Sequence, residues 1–339
     1  MLANSRTPRI LPASSGALEL VGRSIVIARV HEVVRRSASL QSGVLIVGER
    51  GVDAESVARE LHARSCPPLA SWIAVECGTS DVAHLEWALF GAPLGLTTGD
   101  LESVSADSRI AAARGGMLFL RDVEAMPAAA QARLARVARD GKVRIDGDIV
   151  ATRFRLAASA SPSIDGDVRG SRFQADLFRR LAISRIDLPP LRDRLEDVAP
   201  MSARLLEELS AAAGLPPRRF APAALALLAA LSWPGNLAEL RGVVERVMAD
   251  AGRQDRPRGQ VIHIERLLPA LQLDRATTPF APAGNLREAR LTFERDYIAA
   301  VLRYHGWRMA DAARTLGIQR PNLYRKARQL GIPLTRVTD

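Results

Sequence analysis

GVLIVGERGVDAESVARELHARS, residues 43–65, reads as a strand, a turn and a helix in immediate succession. Residues 44–47 are Val-Leu-Ile-Val, a run short enough for a strand and too uniformly apolar to leave one face in water. Gly48 and Gly51 then open a turn, and from Ala54 onward Val57, Ala58 and Leu61 recur at helical spacing. A buried strand that passes directly into a helix begins an α/β unit. Outward from it, residues 72–76, 117–120 (behind the break Gly115-Gly116) and 154–158 read as three further buried strands. Helical patterns at 25–36, 82–90 and 128–139 alternate with the strands, which predicts a mostly parallel sheet between two helical layers.

Strand signals stop after DLPPLRDR, residues 187–194. Helical patterns at 200–213, 222–231 and 237–251 predict a small all-helical subdomain over 195–271, following an α/β subdomain over 19–194. Residues 1–18, rich in Ser, Pro and Ala, read as a tail too short to hold a sensory domain. Residues 272–284, with Pro279, Pro282 and Gly284, read as a linker, and 285–339 as a separate all-α domain.

Among 339 residues the formal charge is +10, which favours polyanionic partners. The excess is almost wholly arginine, with Lys142 and Lys326 the lysines, and a GC-rich genome explains that equally well. Cys66 and Cys77 do not make a disulfide framework, and the histidines show no ligand spacing, so no metal site is expected. No apolar run approaches the ~20 residues that cross a bilayer, and the first residues lack a signal-peptide core. The expected location is the cytoplasm, with no membrane partner.

The C-terminal domain carries the plainest functional signal. Residues 286–302 have one apolar face (Ala289, Phe293, Tyr297, Ala300, Val301) suited to core or dimer packing. Residues 309–316, the turn Gly317-Ile318 and residues 320–330 then form two short helices around a tight turn, the pattern of a helix-turn-helix. The second helix opens on Gln319, Arg320, Pro321 and Asn322, and Pro321 suits a first helical turn. Such a helix offers its start to base edges and its basic groups to phosphates. Arg320 and Asn322 are the candidate base contacts, and Arg325, Lys326 and Arg328 the candidate phosphate contacts. Gln319 and Tyr324 complete the candidate DNA-binding set; Leu316, Ile318, Leu323 and Leu330 are expected in the core. The stretch DAARTLGIQRPNLYRKARQLGI, residues 311–332, resembles the Fis-type helix-turn-helix that ends many bacterial enhancer-binding proteins. That resemblance implies a dimer on palindromic double-stranded promoter DNA.

Five blocks, in order, resemble the AAA+ domain of sigma-54-dependent activators. GERGVDAESVARELHARS (48–65) follows the phosphate loop, Walker A; CGTSDVAHLEWALFG (77–91) precedes the sigma-contacting loop; GGMLFLRDVEAMPAAAQARL (115–134) follows Walker B. FQADLFRRLAISRIDLPPLRDRLEDV (173–198) follows the arginine-finger region, and LSWPGNLAELRGVVERV (231–247) the sensor II helix. The resemblance implies a three-layer AAA+ P-loop fold with a helical lid. It also shows departures. A phosphate loop needs glycines whose amides wrap phosphates and a lysine on the β/γ-phosphates. Gly48 and Gly51 match, but the last motif glycine falls on Asp53 and the lysine on Ala54. The Walker B Asp-Glu pair falls on Arg121-Asp122, sensor I on Ala160, the first arginine finger on Gln174 and sensor II on Ala238; Arg180 matches the second arginine finger. The sigma-contacting loop falls on GLTTGD (95–100), with Thr97 where the family places an aromatic residue.

From these departures the sequence predicts a degenerate nucleotide site made of Gly48, Gly51, Asp53, Ala54, Arg121, Asp122 and Arg180. It predicts no enzyme but a pseudo-ATPase: a DNA-binding transcription regulator that acts without ATP hydrolysis and without sigma-54. Its partners would be promoter DNA, RNA polymerase and further copies of itself, as a homodimer or higher oligomer. ATP is not the expected ligand, and a signalling nucleotide is the alternative occupant. The competing functions are an atypical ATP-dependent sigma-54 activator and a regulator responsive to a cyclic dinucleotide.

Overall fold

A computed structural model of the chain describes residues 21–78, 81–92, 101–253, 261–275 and 286–332. The predicted tail, the loop at 95–100 and most of the predicted linker lie outside the described residues.

The chain enters through α1 (Ile25–Ala38), capped by the Ser24 hydroxyl, which accepts from the Ile27 amide. Then follow β1 (Val44–Val47), α2 (Ala54–Ser65), β2 (Trp72–Glu76), α3 (Val82–Phe90), the short α4 (Arg109–Ala112) and β3 (Met117–Arg121). After α5 (Ala128–Asp140) come the hairpin strands β4 (Lys142–Ile145) and β5 (Asp148–Ala151) and the central strand β6 (Arg155–Ala160). The α/β part closes with α6 (Ile164–Arg169), α7 (Ala175–Leu181) and β7 (Ser184–Asp187). β2-β3-β6-β1-β7 form one parallel sheet in that order, with Val44 opposite Ala157 on one side and Ser184 on the other.

The alternation along β1 builds the three layers. Val44 and Ile46 join α1 and α2 in one buried cluster with Ile27, Val57 and Leu61. Leu45 and Val47 join α3, α5 and α7 in another with Leu89, Leu134 and Leu177. Both faces of β1 are therefore dry, as its unbroken apolar run required. The sequence reading missed β7, whose alternating burial in Ser184-Arg185-Ile186-Asp187 suits a sheet edge. It also missed the β4–β5 hairpin, although Asp146 and Gly147, with φ of 51° and 96°, are the Asp-Gly pair such a turn favours.

The lid contains α8 (Val198–Ala212), α9 (Pro222–Ala230), α10 (Asn236–Arg253) and α11 (Ile264–Arg275). It is not all-helical as predicted: β8 (Arg219–Phe220) and β9 (Val261–Ile262) pair in parallel. Trp233 sits at the centre of its core, 1% exposed, with its indole N–H donated to the Leu228 carbonyl at 2.8 Å. Asp197 at the lid entrance binds the Arg23 and Ser24 amides at 2.6 and 3.0 Å and the Ser24 hydroxyl at 2.6 Å, tying the start of α1 to the lid. The C-terminal domain comprises α12 (Leu286–Tyr304), α13 (Met309–Thr315) and α14 (Arg320–Gln329). Ile298, Val301 and Leu302 of α12 form one buried cluster with Leu323 and Ala327 of α14, and Ala226 of α9 belongs to the same cluster. No helix among the described residues is long and apolar enough to cross a membrane.

Candidate functional site

The turn after β1 and the ends of β2, β3 and β6 surround a cleft of about 790 Å³. Gly48, Gly51, Asp53, Ala54, Arg121 and Asp122 all line it. Arg180 does not: on α7, its guanidinium lies 3.6 Å from Asp176 and donates to the Ala138 carbonyl at 3.5 Å.

The phosphate-loop backbone is held from two sides. The Gly48 amide donates to the Ala160 carbonyl at 3.0 Å. From the lid, the Asn236 amide group donates to the Arg50 carbonyl at 3.0 Å, the Ala238 amide donates to the Gly51 carbonyl at 3.0 Å, and Asn236 Oδ1 accepts from the Leu191 amide at 2.8 Å. Gly51 has φ +85°, and a Cβ there would stand 2.2 Å from the Gly235 carbonyl oxygen, so only glycine fits. Arg192 clamps Glu49 with bonds of 2.7 and 2.5 Å and holds the Glu49 carboxyl below its usual range. Sequence reasoning missed Asn236 as this tie, because its partners lie about 45 and 186 residues away.

Asp53, in the place of the last phosphate-loop glycine, caps α2: Oδ1 accepts from the Ser56 amide at 3.0 Å, and Oδ2 from the Ser56 hydroxyl. A carboxylate at a helix start is the favoured N-cap, so its charge is engaged with the helix. Arg121 at the end of β3 reaches across the cleft and pairs with Glu55, with Glu76 at 3.9 Å. Glu55 was not singled out from the sequence, since its partner is 66 residues away. Asp122 holds left-handed backbone, φ 50°, and its amide donates to the Ser159 hydroxyl at 3.0 Å. Glu124 accepts from the Ser161 amide at 2.8 Å, while its second oxygen is buried without a hydrogen-bond partner. The field at the strand ends is acidic: burial, reinforced by Glu76, Asp122 and Glu124, pushes the Cys77 thiol far up.

These side chains do not fit magnesium triphosphate. No ammonium stands at position 54, and a guanidinium occupies the place of the first metal-holding acid. A divalent cation at the end of β3 would compete with the Arg121 guanidinium for Glu55 and Glu76, the acids that already neutralise it.

In the C-terminal domain, Gln319, at the cap position before α14, and Arg320, Asn322, Tyr324, Arg325 and Arg328 on it stand exposed, while Leu323 and Ala327 turn inward. Gly317, at φ 66°, makes the turn between α13 and α14. The Arg320 guanidinium lies 5.8 Å over the Tyr324 ring, and Arg325 donates to Asn322 Oδ1 at 3.2 Å. Lys326 differs from the other candidates: its half-exposed side chain carries its ammonium to Glu294 on α12, an ion pair within the module.

Three family models match in series: the sigma-54 interaction domain over residues 20–187, the AAA+ ATPase lid domain over 192–282, and the Fis-family bacterial regulatory protein helix-turn-helix over 290–330. The nitrogen assimilation regulatory protein NtrX of Azorhizobium caulinodans is 32% identical over 335 residues, covering 92% of this chain and 69% of that protein. The chain belongs to the sigma-54-dependent activator family. The nitric oxide reductase transcription regulator NorR2 of Cupriavidus necator, a further member, is 33% identical, and the chain spans 63% of its length. The crystal structure of NtrX from Brucella abortus in complex with ADP matches at a TM-score of 0.68 with 32% identity, covering 93% of this chain and 70% of that one. The complex of the same activator with ATP matches at 0.69. Membership overturns the expectation that this chain is no enzyme: it belongs to a family of AAA+ ATPases, of which a 32% identical member was crystallised with ATP and with ADP.

Proposed function

We propose that this chain is a transcription regulator that seats on palindromic promoter DNA through α14 as a dimer or higher oligomer, takes a nucleoside phosphate in its central cleft and acts on RNA polymerase. The observation that carries the reading is α14 itself: Arg320, Asn322, Arg325 and Arg328 are exposed on a helix that contains no acidic residue. Guanidinium and amide groups at the start of such a helix suit base edges in the major groove, and the arginines that follow suit phosphates. The cleft supports the nucleotide half of the reading, because it lies at the carboxyl ends of parallel strands, where open α/β sheets bind ligands. Genome-wide mapping of bound DNA tests the first half. Discrete palindromic sites that vanish on Arg320→Ala with Asn322→Ala support it; sequence-independent binding of the unaltered chain overturns it. Titration with ATP, ADP and cyclic dinucleotides, with phosphate release followed in parallel, tests the second half and identifies the ligand.

A second reading concerns the polymerase. Thr97 stands where the family's sigma-contacting loop carries an aromatic residue, which favours output that does not pass through sigma-54. Reporter expression that persists in cells lacking sigma-54 is the expected result. Its loss there would assign the chain to sigma-54-dependent activation.

A further inference from the structure

We propose that the cleft takes the phosphate of its ligand as a bare anion, with the Arg121 guanidinium standing where an ATPase of this family would hold a magnesium ion. The proposal rests on the reading of the cleft as a nucleoside-phosphate site. Arg121 ends β3 and lines the same cleft as the phosphate-loop residues 48–54. Its side chain is 39% exposed. A planar guanidinium binds phosphate through two parallel N–H bonds, and it supplies fixed positive charge without a metal.

The Arg121 ion pair is built to be exchanged. Glu55 holds Arg121 through one carboxylate oxygen, while Arg59, one turn along α2, donates to the other oxygen at 3.0 and 2.7 Å. When Arg121 turns to a phosphate, Glu55 keeps Arg59 as its partner, so no carboxylate is stranded. Position 54 is Ala, which leaves the space of a long ammonium side chain open beside the phosphate loop. Of the other acids that line the cleft, Glu49 is paired with Arg192, Asp53 caps α2, and Glu76 accepts from the Gly78 amide at 3.4 Å and lies 3.9 Å from Arg121. Glu124 accepts from the Ser161 amide at 2.8 Å through one oxygen, which leaves Asp122 and the second Glu124 oxygen as the charges an anion must avoid. Among the described residues no group of three acids, histidines or cysteines converges as a metal site.

The test is calorimetric titration of the full chain with ADP, in excess magnesium and in excess EDTA. Binding is expected to be several-fold or more tighter in EDTA, since in excess magnesium most ADP carries the metal and must shed it before the cleft takes the bare phosphate. Affinity equal or tighter in magnesium overturns the proposal. Arg121→Ala weakens binding about tenfold or more in both buffers, as loss of a charge-assisted bidentate contact does. Arg121→Lys keeps part of the affinity, whereas Arg121→Asp restores an acid and makes binding magnesium-dependent. Unfolding temperature and DNA affinity of each variant establish that it is folded. Unaltered protein that binds ADP only with magnesium overturns this proposal and leaves the nucleotide reading standing; so does an Arg121→Ala variant with unchanged affinity. No ADP binding in either buffer overturns both.

Discussion

In α14 the side chains read as DNA contacts stand on one short helix, and their positions follow from local sequence: Leu323 and Ala327 turn inward, so Arg320, Asn322, Tyr324 and Arg325 must turn outward. In the cleft the reverse holds. Its shape comes from residues far apart in the chain, Gly48 against Ala160, Gly51 against Gly235 and Ala238, Asn236 against Arg50 and Leu191. None of these contacts uses the lysine or the acidic pair that the family's chemistry requires. A scaffold kept by backbone contacts therefore tolerates the exchange of side chains at the reacting end, while a DNA-reading helix has no such separation, because its scaffold and its chemistry share the same ten residues.

That contrast can be broken at several points. The largest effect is expected from Trp233→Ala, which empties the lid core beneath the start of α10. Denaturant unfolding should show a loss of about 3–5 kcal/mol, the usual range for a buried aromatic truncated to Ala, and ligand binding in the cleft should weaken with it. A loss below about 1 kcal/mol would mean that the lid does not support the cleft as described. Next, Arg320→Ala should cost about 1–3 kcal/mol in affinity for a specific site, with little change for random DNA. Equal losses on both DNAs would move Arg320 from base contact to phosphate contact. Asp53→Ala separates capping from electrostatic exclusion: removal of an N-cap lowers stability by about 1 kcal/mol, whereas an Asp that served only to repel phosphate would leave the melting temperature unchanged. The smallest effect is expected at Lys326. Its partner Glu294 engages it within the module, so Lys326→Ala should change stability by less than about 1 kcal/mol and leave the salt dependence of DNA affinity near that of the unaltered chain. A salt slope reduced by about one unit would return Lys326 to the phosphate contacts.

The layers of the fold were legible because periodicity is local: the apolar run 44–47 and the helical spacing after Ala54 each declare their faces within a few residues. β7 was less legible, since a strand of Ser, Arg, Ile and Asp acquires its identity from β1, some 140 residues earlier. The short β8–β9 pair is of the same kind, with Phe220 matched to Ile262. The cleft residues were legible as positions but not as partners. Asp53 could be placed at the phosphate loop, yet its engagement with Ser56 depends on where α2 begins. Arg121 could be placed at Walker B, yet Glu55 becomes its counter-ion only when β3 and α2 meet at one end of the sheet. The absence of enzymatic function, inferred from those positions alone, was the reading that family membership corrected.

Ala226, the lid residue inside the buried cluster of the helix-turn-helix, has a mechanical consequence. Bodies that move independently are joined by a tether and share no core, but α9 and α12 contribute to one buried cluster, so the lid and the helix-turn-helix are packed together as one lever arm. Since the Gly51 carbonyl is fastened to the start of α10, the arm of that lever begins at the cleft. Two copies seated on one palindrome would then have their clefts held at a spacing set by the operator, with the distance between half-sites acting as the ruler.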